Sequence, residues 1–532
     1  MSRGDLEHAE VEIAHARATA GRIAYLPGKA EALHLAGRLR GARGEPALWP
    51  LRGAVAAAER LRSSFRASAL QGAVQARFLA PYLDLIHEAV VHGEPHEALL
   101  VAELCKQRQL TLTLASTMAL DPGRSVDEES RDPHRRHVSE QLSWLYAELA
   151  QAGLGGESVD PGALARIASL ERELVTTDRR SDAARLPTPR GSEAMSSSVP
   201  LRMPEATVGL SFVVLSDAVV GLLVRPGTTD TIRSVVTPIE PASLDRLLEG
   251  LRFQLSRALM LPERSSDDRL IAGFNRVSAR LYELLLRPVE RLIPDGAHVV
   301  ISPHAGLHAV PYTALWDGAR YAGERWTLSV LPNLSMSGRL ADLPPRPGAP
   351  LIVGVWDEQA PAIATEVAAV GAELPGAHTL LGEAATVAGV SVAVGSASDL
   401  HVACHGNFSA HAPRSAGLRM SDGWLTAGAI QRLPIRGAHV TLSGCDTGAA
   451  THSALDDAVG LPAALLHGGV SSMLVSHWPA HDDASTLLMT AWYRARRAGA
   501  LPARALATAQ SATRAQYPHP ALWSAFYVGG IG

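Results

Sequence analysis

The sequence predicts an α/β protein: a mostly parallel sheet flanked by helices, preceded by an all-α, helical-repeat-like region. Three observations carry this. Up to about residue 175 the apolar residues recur at helical spacing. From Ala206 onward, short β-rich runs alternate with amphipathic stretches, the pattern of parallel strands covered by helices. Between the two lies a polar stretch rich in Pro and Ser, 178–204, which cannot bury a core. The chain therefore divides into a helical region at 1–177, a linker at 178–205 and a sheet domain at 206–532, with its core at about 241–532.

In the helical region, five stretches show the helical period: 11–22, 30–39, 54–70, 74–87 and 97–114. Gly and Pro punctuate them at 27–28, 44–50 and 92–95. Stretch 97–115 is similar to the last helix of a tetratricopeptide-type array, but no clean 34-residue period runs through the region. Two readings stand: stacked helix pairs with a concave partner-binding face, or a plain helical packing domain. Two more amphipathic helices are expected at 138–152 and 161–176. The linker reads as an interdomain tether, with a processing or phosphorylation site as the alternative.

The sheet domain opens with strands at 207–216 and 218–225, turned at Ser216-Asp217. Helices follow at 241–259 and 268–286, then strands at 297–302, 326–331 and 351–355. Pro361 suits the start of a helix at 362–374 that carries Glu366.

Composition limits the function classes. With 532 residues the chain is too long for one core. Hydrophobic content of 47% and charged content of 19% describe a folded protein. A net charge of −4 supplies no global field for nucleic acid, so no direct nucleic-acid binding is expected. Lys29 and Lys106 are the only lysines among many scattered arginines. Three cysteines, Cys105, Cys404 and Cys445, argue against a disulfide framework and for a reducing compartment. The first residues are acidic and lack an apolar segment, and no run approaches a membrane span. The expectation is a cytoplasmic protein without membrane contact.

Two apolar runs end in reactive side chains: 399–406, D-L-H-V-A-C-H-G, and 440–448, V-T-L-S-G-C-D-T-G. The first delivers His405 and Gly406, the second Cys445. With a period of two, His401, Ala403 and His405 share one face while Val402 and Cys404 share the other. Cys404 then packs away from His405 as a small hydrophobe. The intervening chain supplies a short strand at 418–420, a turn at 421–423 and a helix at 425–432. A strand–helix–strand crossover of that length sets the two strands side by side. His405 and Cys445 could then touch at one sheet edge, where sites form in open α/β folds. An imidazole that takes the thiol proton makes a thiolate, which attacks a carbonyl carbon. The resulting oxyanion needs N–H donors; Gly406 lets the backbone approach and the amide of Cys445 is a second donor. On these residues alone the alternative is two buried core side chains.

Ordered motifs sharpen the reading. His405-Gly406, Ser415, L-T-A-x-x-I at 425–430, L-S-G-C-D-T-G at 442–448 and the long G-L-P-A-A-L-L-H-G-G stretch from 460 follow one another. So do D-D-A-S-T-L-L-M at 482–489, R-A-L-A-T-A-Q at 504–510 and H-P-A-L-W-S-A-F-Y-V-G-G at 519–530. Upstream stand S-P-H-A-G-L-H-A-V-P-Y-T-A-L at 302–315 and L-L-G-E-A-A-T at 380–386. Together, over roughly 241–532, they resemble the CHAT domain, a bacterial branch of the caspase-like and separase-like cysteine peptidases. The resemblance implies a caspase-like fold and a dyad of Cys445 and His405, with Gly406 beside the oxyanion hole. It also implies a protein substrate and a helical front region of tetratricopeptide type that engages a protein partner or activator; with no H-E-x-x-H and no glycine-rich phosphate loop after a strand, no metal or cofactor is expected. Bacterial stress, defence or death signalling is what such a family implies.

The function expected is thus a cysteine endopeptidase, latent until residues 1–177 are engaged. The alternatives are a non-enzymatic signalling scaffold on the same fold and another cysteine hydrolase using the same dyad. Asp446, Asp482 and Asp483 are candidates to pair with a basic P1 residue. For Asp482 and Asp483 the competing reading is an acidic first turn of a helix. His304 and His308 sit in a turn-rich segment without a metal-binding pattern. His467 is expected to end a helix at Gly468-Gly469. His477 or His481 could line the cleft, and Cys105 is read as packing.

Overall fold

The computed structural model describes residues 3–63, 78–106, 207–225, 232–264, 266–407, 416–444, 451–452 and 458–532, with scattered positions between 141 and 203. The linker at 178–205, apart from Met203, and the expected helices at 138–152 and 161–176, apart from those scattered positions, lie outside the described residues.

Among the described residues, five helices open the chain: α1 (Arg3–Arg22), α2 (Leu26–Ala42), α3 (Leu48–Ser63), α4 (Leu79–Val91) and α5 (Pro95–Cys105). Pro27 and Pro95 stand in first turns, where a missing N–H costs nothing. The 27–28 break is thus a helix start. α3 and α4 are joined below their apolar faces by a buried polar knot. Tyr82 donates to Glu59 at 2.6 Å, and Arg62 pairs with the same carboxylate at 2.8 Å. Cys105 is buried in the core, as read from the sequence.

The sheet domain continues with β1 (Thr207–Val214), β2 (Ala218–Val224), β3 (Ile232–Pro238), α6 (Pro241–Leu259), α7 (Asp268–Leu285), β4 (His298–Ser302), β5 (Thr327–Val330) and β6 (Ala349–Gly354). Then come α8 (Ala362–Glu373), β7 (His378–Leu381), α9 (Val387–Ala393), β8 (Ala397–Ala403), β9 (His439–Ser443) and α10 (Leu461–His467). The chain ends with β10 (Ser472–Ser476), α11 (Asp482–Arg497), α12 (Pro502–Gln516) and β11 (Phe526–Gly530). Local chemistry sets these bounds. Asp267 caps α7 by accepting from Arg269 N at 2.9 Å, and Leu270, Phe274, Leu281 and Leu285 form its buried stripe. Thr386 caps α9 through Gly389 N at 3.0 Å.

The strands form one sheet in the order β3-β2-β1-β4-β5-β11-β10-β9-β8-β6-β7. Parallel pairing joins β1-β4-β5 and β10-β9-β8-β6-β7. Antiparallel pairing joins β3-β2-β1 and β10-β11. The fold is therefore the expected one: a helical region, then a mostly parallel sheet between helices.

Alternation along the strands feeds two cores. Val213, Val300, Val353, Leu400, Val402, Cys404 and Leu442 pack with α3, α4, α5, α9 and α10. Leu210, Phe212, Ile301, Ile352, Ala403 and Leu474 pack with α6, α7, α8, α11 and α12 on the other face. The helical region thus shares a core with the sheet. Polar anchors fix it there. Glu103 of α5 accepts from Leu334 N, Ser335 N and Ser335 Oγ at 3.1, 2.7 and 2.6 Å. Lys106 Nζ donates to Ser211 Oγ, Ser302 O and Ser302 Oγ at 2.9, 2.8 and 3.0 Å.

Two local expectations are corrected. The helix expected at 425–432 is a strand, Trp424–Thr426, followed by a four-residue helix, Ala427–Ile430. Leu425 pairs with Leu418 in an antiparallel ribbon, and Arg419 lies over the Trp424 ring, so pairing takes the apolar residues a helix would have used. β3, absent from the sequence reading, is an edge strand whose I-R-S-V-V-T-P mixes polar and apolar residues and leaves one face open.

Candidate active site

The site is built at the C-terminal ends of β6, β8, β9 and β10. Register brings three of those ends level: Gly354 pairs with Ala403, and Ala403 pairs with Ser443. The crossover from β8 to β9 therefore does set the two strands side by side, as the spacing predicted.

His405 stands two residues past the end of β8. Its backbone is tied by Arg419 N donating to His405 O at 2.9 Å. Gly406 continues directly into the ribbon, opposite Leu418. The imidazole is 16% exposed, so it is reachable from solvent yet held by its surroundings. Its Nε2 lies 3.0 Å from Asp357 Oδ1. Asp357 follows β6, in a loop pinned to β8 by Val355 N donating to Ala403 O at 3.0 Å. The same Oδ1 accepts from Gln359 N and Ala360 N at 2.9 and 3.1 Å. The His405 hydrogen bond, helped by those two N–H groups, holds the Asp357 carboxyl below the usual range, against the opposing effect of burial. Such a depressed carboxylate contributes stability above its unfolded-state pKa. That contribution is lost as pH falls through the lowered value. With Asp357 at 55% exposure, the contribution is screened and small.

Cys445 and Asp446 lie outside the described residues. Cys445 is the second residue after Ser443, as His405 is the second after its register partner Ala403. The approach to it is fixed: Ser476 Oγ, at the end of β10, donates to Gly444 O at 3.0 Å.

The remaining sequence candidates fall as follows. Asp482 and Asp483 are exposed in the first turn of α11, where acidic residues suit the helix dipole. The capping acceptor is their neighbour His481, which receives Ala484 N. His477 is stacked against Tyr527, ring centroids 4.2 Å apart, and burial pushes it down to about 3. His467 ends α10 with Nδ1 2.8 Å from Ala463 O, and Gly468 and Gly469 follow, the latter at φ +80°. His304 Nδ1 accepts from Val214 N at 3.1 Å. His401, 1% exposed, sits under the sheet between Tyr493 OH at 3.1 Å and Glu366 Oε1 at 3.2 Å. Among the described residues no group of three or more His, Cys, Asp or Glu side chains could hold a metal ion. Nor is any described helix long and apolar enough to cross a membrane.

Sequence reasoning missed Asp357 and Ser476. Both carry a visible signal: L-I-V-G-V-W-D and M-L-V-S are apolar runs ending in a polar side chain, the same grammar that marked His405 and Cys445. Chemically, the described residues offer a part-exposed imidazole backed by a carboxylate and, on the neighbouring strand, a Gly444 carbonyl anchored by the Ser476 hydroxyl.

Residues 275–530 match the family model of the CHAT domain. Among solved structures, two crystal structures of the Saccharomyces cerevisiae separase–securin complex align with 99% and 96% of this chain and 48% and 50% of theirs. Both are 9% identical, with TM-scores of 0.45 and 0.43. The Arg-specific cysteine proteinase gingipain R aligns with 49% of this chain and 67% of its own, at 9% identity and a TM-score of 0.34. The chain spans about half the length of the separase chains it matches. No curated protein matches it.

Proposed function

Because residues 275–530 match the family model of the CHAT domain, we propose that the chain is a cysteine endopeptidase acting on a protein substrate through Cys445 and His405. The observation that supports this most is His405, placed at the end of β8 and backed by Asp357 at 3.0 Å, on the strand adjacent to the one that leads to Cys445. His405 takes the proton from the Cys445 thiol, and the thiolate sulfur bonds to the scissile carbonyl carbon. The oxyanion is met by the backbone N–H groups of Gly406 and Cys445. The C–N bond then breaks and His405 returns its proton to the leaving amine. Water, deprotonated by the same imidazole, hydrolyses the thioester and frees the thiol.

The test is the rate of Cys445 alkylation by iodoacetamide between pH 5 and 9, followed by mass spectrometry, in wild type and His405→Ala. Fast labelling that extends below pH 7 and disappears in the variant is the expected result. Labelling with an ordinary thiol profile, near pKa ~8.5, would sink the reading in favour of the signalling scaffold. Cys404, buried in the core, is the internal control.

Ser476 deepens the prediction. Its hydroxyl fixes the carbonyl one residue before the nucleophile, so Ser476→Ala should lower the labelling rate roughly tenfold, as small misplacements of reacting groups do. An unchanged rate would show that the Ser476 bond to Gly444 O does not govern the nucleophile's reactivity. Asp446, Asp482 and Asp483 are proposed to favour a basic P1 residue; peptide libraries cut with the same preference by Asp482→Ala and Asp483→Ala variants would remove the latter two. Latency until a partner engages residues 1–177 is proposed on the buried anchoring of α5 to the sheet through Glu103 and Lys106.

A further inference from the structure

We infer that Asp357 is the positioning residue of His405: its carboxylate fixes the imidazole with the proton on Nε2 and leaves Nδ1 as the basic nitrogen. What stands opposite Nδ1 rests on the peptidase reading; the pairing itself does not.

Proton bookkeeping decides the tautomer. An ionised carboxylate only accepts, so the nitrogen 3.0 Å from Asp357 Oδ1 carries the hydrogen. A neutral imidazole holds one proton, and Nδ1 is then the basic atom. Both partners are held by backbone. Asp357 sits in the short loop between β6 and α8, clamped at Val355 by the Ala403 carbonyl. Its Oδ1 is steered by the N–H groups of Gln359 and Ala360. His405 is clamped by the N–H of Arg419. The imidazole is therefore oriented by a carboxylate that cannot easily turn away. When Nδ1 takes the thiol proton, the ring becomes a cation beside that carboxylate, so the charged state of the dyad is favoured as it forms. Stability is a poor alternative explanation, because an exposed pair of this kind contributes little to folding.

The same carboxylate also builds the loop, so the experiment must separate the two roles. Asp357→Asn keeps an oxygen that can accept from Gln359, Ala360 and Nε2–H but removes the charge; Asp357→Ala removes both. The intact chain, with 15N-labelled histidine, is examined by NMR, and the His405 signals are assigned by their loss in His405→Ala. Wild type should show the Nε2–H form. Asp357→Ala should shift to a mixture of tautomers, with Cys445 alkylation at pH 7 slowed by about tenfold or more. Asp357→Asn should keep the tautomer and recover part of the rate. The same His405 signature in wild type and Asp357→Ala overturns the inference, whatever Cys445 does. If the tautomer changes in the alanine variant while wild-type Cys445 labels at an ordinary rate, the pairing stands and the peptidase reading falls.

Discussion

Cys445→Ala and His405→Ala should each lower kcat/KM for peptide cleavage by roughly 10³-fold or more, with no comparable loss of folding stability. The two losses should not add in the double variant. The sulfur forms the covalent intermediate, and the imidazole both creates the thiolate and protonates the leaving amine. Groups that act as one unit lose most of their effect when either is removed. His405 projects from the sheet edge with its ring part-exposed, so truncating it leaves no large cavity in either core. Steady-state kinetics on a peptide library, alongside urea unfolding of each variant, decides the matter. Equal activity in wild type and Cys445→Ala would exclude a thiol mechanism. A double variant much slower than either single one would mean that the two residues serve different steps.

Much of this site could be read from the chain because strand-end chemistry is local. An apolar run of five to seven residues, then a small residue, then a polar side chain is visible without knowing its neighbours. That holds for D-L-H-V-A-C-H and V-T-L-S-G-C, and their separation fixes a crossover, hence adjacency. Asp357 also ends an apolar run, but W-D-E-Q-A-P reads equally well as an ordinary polar loop, so the run alone does not single it out. Only the register of Gly354 with Ala403 carries it across to His405. The strand at Trp424–Thr426 escaped because its apolar residues match a helix as well as a ribbon, and pairing with Gly417–Arg419 decides between them. The docking of α5 was invisible for the same reason: its partners, Ser211, Ser302, Asn333 and Ser335, are at least a hundred positions away and belong to three separate segments.

Lys106→Arg should destabilise the protein by about 2–4 kcal/mol, although it preserves the charge. Arginine serves almost everywhere else in this chain; Lys29 and Lys106 alone are lysine. Lys106 is 0% exposed, and its ammonium meets Ser211 Oγ, Ser302 O and Ser302 Oγ at 2.8–3.0 Å, a compact set that suits a point charge with three donors. A guanidinium is planar, larger and carries five donors. Within this enclosure it must push β1 from β4 or leave buried N–H groups unpaired. Retreat along the backbone is blocked, because Asn333 Nδ2 holds the Lys106 carbonyl at 3.0 Å. Lys106→Met, which removes the charge at similar length, should cost less, about 1–3 kcal/mol, chiefly by orphaning the Ser302 carbonyl. Chemical unfolding of the intact chain gives the comparison, and arginine tolerated within about 0.5 kcal/mol would sink the idea of an ammonium-specific seat. The same variant probes restraint. If α5 holds the dyad latent through this seat, loosening it should speed Cys445 alkylation severalfold while the chain stays folded; a slower or unchanged rate would mean that the anchoring serves stability alone.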